Sequence, residues 1–382
     1  MTQIKDVELK MNELLSLLEA FKQLNSNIEI EEVFENILYQ MVHVVGAEAG
    51  TLWVLNKEEE IKAVAAFGPS ASSILNVKMK KNEGILGKVI VTGEPQLIEK
   101  VAEDPNWANR VDTASGFITK SMITVPLMVK GNVLGALQLL NKKQLAFFSE
   151  QDITLAVALA NQSALALHNS QMYDELYRMF LSMIRTLAKV LDARDPYTAG
   201  HSERVATYSH WIAKRLDLEP QQCEELYKAA LLHDIGKIGI PDDILRKPDR
   251  LTDLEYDVIK QHPVIGADIL SNMEPKSAMF HAIQTARSHH ERLNGTGYPD
   301  KLAGNEIPLF ARIVGVADAF DAMTTARSYS KGLTYQQGAE ELELCKGTLF
   351  DVDVVNAFTS ILIECDYQIE NVESESGKRY SV

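Results

Sequence analysis

The sequence predicts an α+β protein: an N-terminal domain built on an antiparallel sheet flanked by helices, joined by a long helix to a C-terminal domain that is all α. Three observations predict it. Runs of β-branched and aromatic residues broken by turn residues are concentrated between residues 51 and 140. Apolar positions recur at steps of three and four on either side of that stretch. Beyond residue 175 strand signals are scarce, and Pro220, Pro241, Pro248, Pro263, Pro275 and the stretch 295–299 punctuate helical runs. The chain of 382 residues is long enough for two such domains, each burying its own core.

Taken in order, Ile4, Val7, Met11, Leu14, Leu18 and Phe21 trace one seam of a helix. That helix, within 1–27, either pairs with a second chain as a coiled coil or lies on its own domain. A second helix follows from about residue 28 to 45 and is ended by Gly46. The strand runs are Thr51–Leu55, Ile61–Ala66, Ser121–Leu127 and Val133–Leu140, and Lys130-Gly131-Asn132 between the last two reads as a tight hairpin. Ser149 is placed to cap the next helix, whose apolar positions Ile153, Val157, Ala160, Ala164 and Leu167 form one seam. The heptad then skips at Gln171 and Asp174, and a new series runs through Tyr173, Leu176, Phe180, Met183, Leu187 and Val190. A helical linker with such a register break either transmits a twist or shift or docks on two different surfaces. The tail from 368 to 382 is polar and is expected to pack loosely.

Composition narrows the function classes. A net charge of −15 opposes binding to a nucleic-acid polymer, while a small anionic substrate stays compatible with a local cationic group. No apolar run approaches the roughly 20 residues that cross a bilayer, and the N-terminus lacks the order of a signal peptide, so a cytoplasmic protein without a membrane partner is expected. Cys223, Cys345 and Cys365 are odd in number and lack CxxC spacing, which favours reduced thiols over disulfides or a zinc knuckle.

The order helix, strand pair, Gly84-Ile85-Leu86-Gly87, Thr92-Gly93-Glu94-Pro95, the Val125-Pro126-Leu127 strand and Gly135-Ala136-Leu137-Gln138 resembles a GAF domain over residues 28–168. GAF domains are sensory modules, so the resemblance implies regulation, by an unnamed ligand or by dimerisation. Some cyclic-nucleotide-binding members carry an Asn-Lys, Phe, Asp-Glu signature. This chain has Asn141-Lys142, Phe148 and Asp152, with Ile153 in place of the glutamate. No cysteine precedes Cys223, which removes the usual anchor for a bilin.

Seven of the nine histidines lie beyond residue 200. His233-Asp234, followed by Gly236 and Lys237, places an imidazole and a carboxylate within reach of one metal ion. His210 and His281 sit in amphipathic runs without acidic or histidine neighbours in sequence and read as satisfied core histidines.

Five motifs in order then resemble the HD-GYP family of phosphohydrolases over residues 175–367. They are the segments Asp195–Val205, His233–Pro241, Gln261-His262-Pro263 with Gly266, His289–Pro299, and Ile313–Thr324. The resemblance implies seven metal ligands: His201, His233, Asp234, His262, His289, His290 and Asp318. Asp234 would bridge two ions, with His233 and Asp318 on one side and His201 nearby, and with His262, His289 and His290 on the other. A catalytic ion takes about three protein ligands and keeps a position open, so seven suit two ions per chain. Imidazole and carboxylate without thiolate favour iron, with manganese or another divalent metal as alternatives. Some family members recruit a third ion through a carboxylate near the first histidine. Here Tyr197 stands four residues before His201, and Asp192 and Asp195 are not obviously on one face, so two ions are predicted.

Two ions suit in-line hydrolysis of a phosphoester. The family's substrate is cyclic di-GMP, opened to linear pGpG and in some members on to GMP. Lys237 would balance charge on the phosphorane or assist the leaving 3′ oxygen, or else be a surface lysine near a helix end. Arg327 and Lys331 read either as contacts to the second phosphate or as solvated charges, and Tyr298 in the Gly297-Tyr298-Pro299 turn would shape the pocket edge. The resulting expectation is a GAF-regulated cyclic di-GMP phosphodiesterase, a homodimer through its N-terminal and linker helices (the linker spanning 150–190). The alternatives are a silent cyclic di-GMP receptor and a phosphohydrolase of another cyclic dinucleotide or nucleotide.

Overall fold

A computed structural model describes residues 30–369 except 57, 108–111, 114–115, 146, 196–199 and 326–331. The proposed coiled coil within 1–27 and most of the polar tail lie outside the described residues. The chain divides into two compact units, Met1–Leu176 and Tyr177–Val382.

In the first unit, helix α1 (Ile30–Val45) ends at Gly46, whose φ of 70° is a left-handed conformation that glycine adopts freely. The chain then enters β1 (Ala47–Leu55) and β2 (Glu60–Phe67), the short helix α2 (Ala71–Ile74), β3 (Lys78–Lys80), helix α3 (Gly84–Thr92), β4 (Gln96–Ile98), β5 (Met122–Val129) and β6 (Asn132–Lys142). These strands form one antiparallel sheet in the order β3-β2-β1-β6-β5-β4. Both edge strands are three residues long, too short for an alternating pattern, and the sequence reading missed them. The β5–β6 turn has positive φ at Lys130 and Gly131, as a two-residue hairpin loop requires. Val125, Leu127, Leu137 and Leu139 on one face bury against Ile37, Leu38 and Met41 of α1.

The Asn-Lys, Phe, Asp positions form an internal clasp. Lys142 donates to the Val45 carbonyl and to Asp152 Oδ1, both at 2.7 Å, and lies over the Phe148 ring. Asn141 accepts from the Lys120 amide and donates to Glu48 and to the Ile118 carbonyl. These side chains are engaged in tying the end of the sheet to the helices around it.

Helix α4 (Glu150–Arg194) is 45 residues long, and the boundary between the units falls within it. Its start is capped by Ser149, whose hydroxyl accepts from the Asp152 amide while Asp152 accepts from the Ser149 amide. Its continuity through Gln171 and Asp174 reflects an absence of glycine and proline from 150 to 194.

The second unit is helical among its described residues. After α4 come α5 (His201–Arg215), α6 (Pro220–Leu231), a 3₁₀ turn (Ile235–Gly239), α7 (Asp242–Leu245), α8 (Asp253–Ile259), α9 (His262–Ser271), α10 (Lys276–Ser288), α11 (Leu309–Thr324), α12 (Tyr335–Cys345) and α13 (Val352–Glu364). Trp211 and Ile212 of α5, Leu226 of α6, Val314 and Phe320 of α11 and Phe358 of α13 form the centre of its core. No described helix is long and apolar enough to cross a membrane.

Candidate metal centre

Most of the metal-ligand candidates in the second unit sit where helices begin or end around one point, and Asp318 reaches it from within a helix. His201 is the first residue of α5, following Gly200 at φ 70°. His233 and Asp234 lie between α6 and the 3₁₀ turn, His262 opens α9, His289 and His290 follow α10, and Asp318 projects from α11. Gly236 makes this convergence possible. A Cβ there would lie 1.9 Å from the His262 carbonyl oxygen, so only glycine lets the turn after Asp234 rest on the start of α9. Gly315 acts similarly, letting α11 approach the His289 carbonyl one turn before Asp318.

Asp234 is central, with its two oxygens facing different groups. Oδ1 lies 3.2 Å from His262 Nε2 and 3.7 Å from His289 Nε2, whereas Oδ2 lies 3.4 Å from His233 Nε2 and 3.8 Å from His201 Nε2. His201 Nε2 is also 3.4 Å from Asp318 Oδ1. Two sets of potential ligand atoms result, one from Asp234, His262, His289 and His290 and the other from His201, His233 and Asp318, each set lying within 4.8 Å.

The imidazoles are oriented by their other nitrogens. Nδ1 of His233 is 2.6 Å from the Ala230 carbonyl, that of His262 is 2.7 Å from the Ile259 carbonyl, and that of His289 is 3.0 Å from the Ala286 carbonyl. A carbonyl can only accept, so each Nδ1 carries a proton and each Nε2 is the nitrogen turned to the centre. His201 Nδ1 instead faces Asp321 Oδ2 at 2.7 Å, and Arg204 holds that carboxylate through Nε at 2.6 Å and Nη2 at 2.9 Å.

Burial and charge act in opposite directions here. Burial pushes His233 down to about 4, and burial with the neighbouring His289 holds His290 well below the imidazole range. Burial also works against a charged His201, but Asp318 and Asp321 together raise it to about 10. Burial disfavours the charged Asp234 carboxylate, yet the group is held well below its usual range, first by the Lys237 ammonium and then by the surrounding imidazoles. Lys237 Nζ sits 2.6 Å from Asp234 Oδ2.

These residues fit a divalent metal. His233 Nε2 is fully buried and makes no hydrogen bond, a cost of roughly 1–3 kcal/mol for a polar atom that a cation would relieve. All donors are imidazole nitrogen or carboxylate oxygen, the set for iron, manganese or catalytic zinc.

Among the other residues singled out from sequence, Tyr298 stacks on His290 with ring centroids 4.7 Å apart, so it borders the centre. Arg327, Lys331 and Tyr197 lie outside the described residues. His210 is buried beside Tyr227. His281 departs from the core reading: it is partly exposed, stacks on Phe310 and lies 3.5 Å from Glu225, an acidic neighbour supplied by α6 and invisible to local sequence. Asp321, Arg204, Asp192, Arg194 and Asp195 were given no role from sequence. Spacing held the clue for two of them, because Asp321 follows Asp318 by three residues and Arg204 follows His201 by three, one helical turn in each case.

Comparison with known proteins agrees with two modules. Residues 27–168 match the GAF domain model and residues 185–354 match the HD domain model. The cyclic di-GMP phosphodiesterase response regulator RpfG of Xanthomonas campestris pv. campestris is 42% identical over 171 residues, 45% of this chain and 45% of its own. A cyclic di-GMP phosphodiesterase of Thermotoga maritima is 39% identical over 191 residues, 50% of this chain and 52% of its own. A 3′3′-cGAMP-specific phosphodiesterase of Vibrio cholerae is 36% identical over 203 residues, 53% of this chain and 44% of its own. The chain thus spans about half the length of the curated relatives it matches. The HD domain is a metal-dependent phosphohydrolase fold, and the His/Asp clusters lie within the matched region.

Proposed function

For this chain, whose residues match a GAF domain and an HD domain, we propose membership of the HD-GYP type and metal-dependent hydrolysis of cyclic di-GMP to linear pGpG, and in a second cut to GMP, under control of the GAF domain. The observation that carries the reading is the division of the donors into two sets about Asp234, one carboxylate oxygen turned toward each. In this reading His201, His233 and Asp318 hold one ion, His262, His289 and His290 hold the other, and Asp234 spans both. When bound, such a pair supplies Lewis-acid charge to the phosphodiester and a nucleophile from water at neutral pH. Iron is the preferred metal on donor chemistry, with manganese next.

The protein's own groups do the rest. Lys237 keeps a cation beside the Asp234 carboxylate, placed to offset charge building on the phosphoryl oxygens or on the departing 3′ oxygen. The Tyr298 ring fixes one face of His290 and offers the pocket edge an aromatic surface for a base or ribose. Arg327 and Lys331 are assigned the second phosphate. Free thiols at Cys223, Cys345 and Cys365 suit a cytoplasmic setting.

A second reading, hydrolysis of 3′3′-cGAMP, is favoured by the Vibrio cholerae relative named as specific for it. One experiment separates them: metal-loaded protein is incubated with each dinucleotide, beside an Asp234→Ala variant, and products are resolved by chromatography. Conversion of cyclic di-GMP by the wild type alone supports the first reading. Binding without turnover of either compound would make the protein a receptor, and equal turnover by the variant would refute the metal assignment.

The homodimer rests on α4. Tyr173, Leu176, Met183, Leu187 and Val190 follow alternating steps of three and four, bridged by Phe180, and all five are exposed. An apolar seam of period 3.5 is the pattern of two helices pairing, and a second copy of α4 is the occupant it fits.

A further inference from the structure

The residues of the candidate centre begin at His201, yet the last turn of α4 and the residue after it reach their supports three times. Asp192 accepts the Ser202 hydroxyl at 2.7 Å, beside His201 at the start of α5. Asp195 Oδ2 lies 3.7 Å from Lys237 Nζ. Arg194 spends its whole guanidinium on the segment after Asp234: Nη1 donates to the carbonyls of Lys237 at 3.0 Å and Ile238 at 2.7 Å, Nη2 donates to that of Ile240 at 2.7 Å, and Nε donates to Asp242 at 2.8 Å.

These carbonyls belong to a short 3₁₀ turn and its exit, where the Lys237 carbonyl also accepts the Ile240 amide at 3.1 Å. One face of the turn already rests on the start of α9 through Gly236. Arg194 grips it from another side, so the turn that orients Lys237 is held between α9 and the end of α4. A rigid planar fork makes such a grip directional, which a lysine ammonium on the same stem would not reproduce.

We propose that Arg194 is a positioning residue: it fixes the Lys237 turn to the end of α4, which makes that end the place where a displacement of the helix enters the active centre. The activity arm of the test rests on the phosphodiesterase reading, and the structural arm does not.

The test uses the full metal-loaded chain as wild type, Arg194→Met, Arg194→Lys and, as a control on the exposed face of α4, Lys189→Met. Hydrogen exchange of peptides covering 235–240 is followed with bound-metal content and steady-state kinetics. Arg194→Met should speed exchange in that segment and lower kcat about tenfold, as loss of a supporting hydrogen-bond shell does, while KM stays within about twofold. Arg194→Lys should fall between it and wild type, and Lys189→Met should match wild type. Wild-type exchange in 235–240 for Arg194→Met would overturn the proposal, as would a change in KM alone. If Arg194→Met loses protection throughout α5 and α11, the lysine variant decides by the same readouts. A wild type without turnover would refute the phosphodiesterase reading and leave the exchange result to decide this proposal.

Discussion

Replacing Asp321 by asparagine isolates the support behind one histidine. The carboxylate accepts from His201 Nδ1 and twice from Arg204, and its side chain is 2% exposed. With the Thr325 hydroxyl at 3.4 Å there are four donors, so asparagine offers one oxygen for four and turns an amide toward at least one of them. Arg204 keeps its bond to the Thr325 hydroxyl and its side chain is 35% exposed, so water screens it, and the stability loss should fall below the roughly 3–5 kcal/mol for breaking a fully buried pair. Metal affinity should suffer more distinctly. Removing the partner that orients a metal-binding histidine typically costs about 10–100-fold, or about 1.4–2.7 kcal/mol. Anaerobic titration with Mn²⁺, read by bound metal per chain, should show weakening of one of two sites, the one containing His201. Thermal unfolding of the apo-protein measures the stability term separately. Wild-type affinity at both sites in a folded Asp321→Asn protein would refute the claim that this carboxylate sets the His201 ring.

Metal uptake should release protons at neutral pH. In the metal-free protein His201 is raised to about 10 from 6.5, so its protonated form stabilises the fold fully below about 6.5 and that contribution fades as pH rises through about 10. A metal taking Nε2 at pH 7–8 must displace that proton, and binding enthalpies measured in buffers of different ionisation heat should diverge by close to one proton per chain; equal enthalpies would contradict it. In the GAF unit, burial disfavours the Asp152 carboxylate, but Lys142 and Ser149 hold it below 3.8, so its contribution is present above that value and is lost as pH falls. Lys142→Met should lower that unit's stability by about 1–3 kcal/mol, seen as an earlier urea transition, because the Val45 carbonyl and Asp152 both lose a donor. On α4, the wild type should be dimeric by light scattering at micromolar concentration and a Met183→Glu, Leu187→Glu double variant monomeric, and an unchanged mass would remove the seam from the interface.

Much of the architecture was legible because periodicity reports local structure. The strand runs and the β5–β6 turn at Lys130-Gly131 were visible, as was the continuity of α4, since each is encoded within a few neighbouring residues. Strands β3 and β4 were not, because three residues pairing with a neighbour already in place leave no pattern of their own. The same limit divides the candidate centre. His233-Asp234 and His289-His290 announce themselves as adjacent pairs, whereas the partners that orient them depend on where separate helices end. Glu225 beside His281 and the three carbonyls gripped by Arg194 are set by packing between elements tens of residues apart. Backbone carbonyls, moreover, carry no sequence signal at all.

That division has an energetic logic. Gathering five imidazoles and two carboxylates at one point works against folding unless every donor is spoken for, because each desolvated polar atom without a partner costs free energy. The outward nitrogens are satisfied by carbonyls at or near helix ends, each of which has a second lone pair to accept them. On the inward side Asp234 is paired with Lys237 and His201 with Asp318, but the buried Nε2 of His233 makes no hydrogen bond. The metal-free unit therefore stores its cost on the inward side of the cluster, where a cation can repay it. If His201, His262 and Asp318 serve as ligands, binding should accordingly stabilise α5, α9 and α11 together, since each places a donor atom in the cluster.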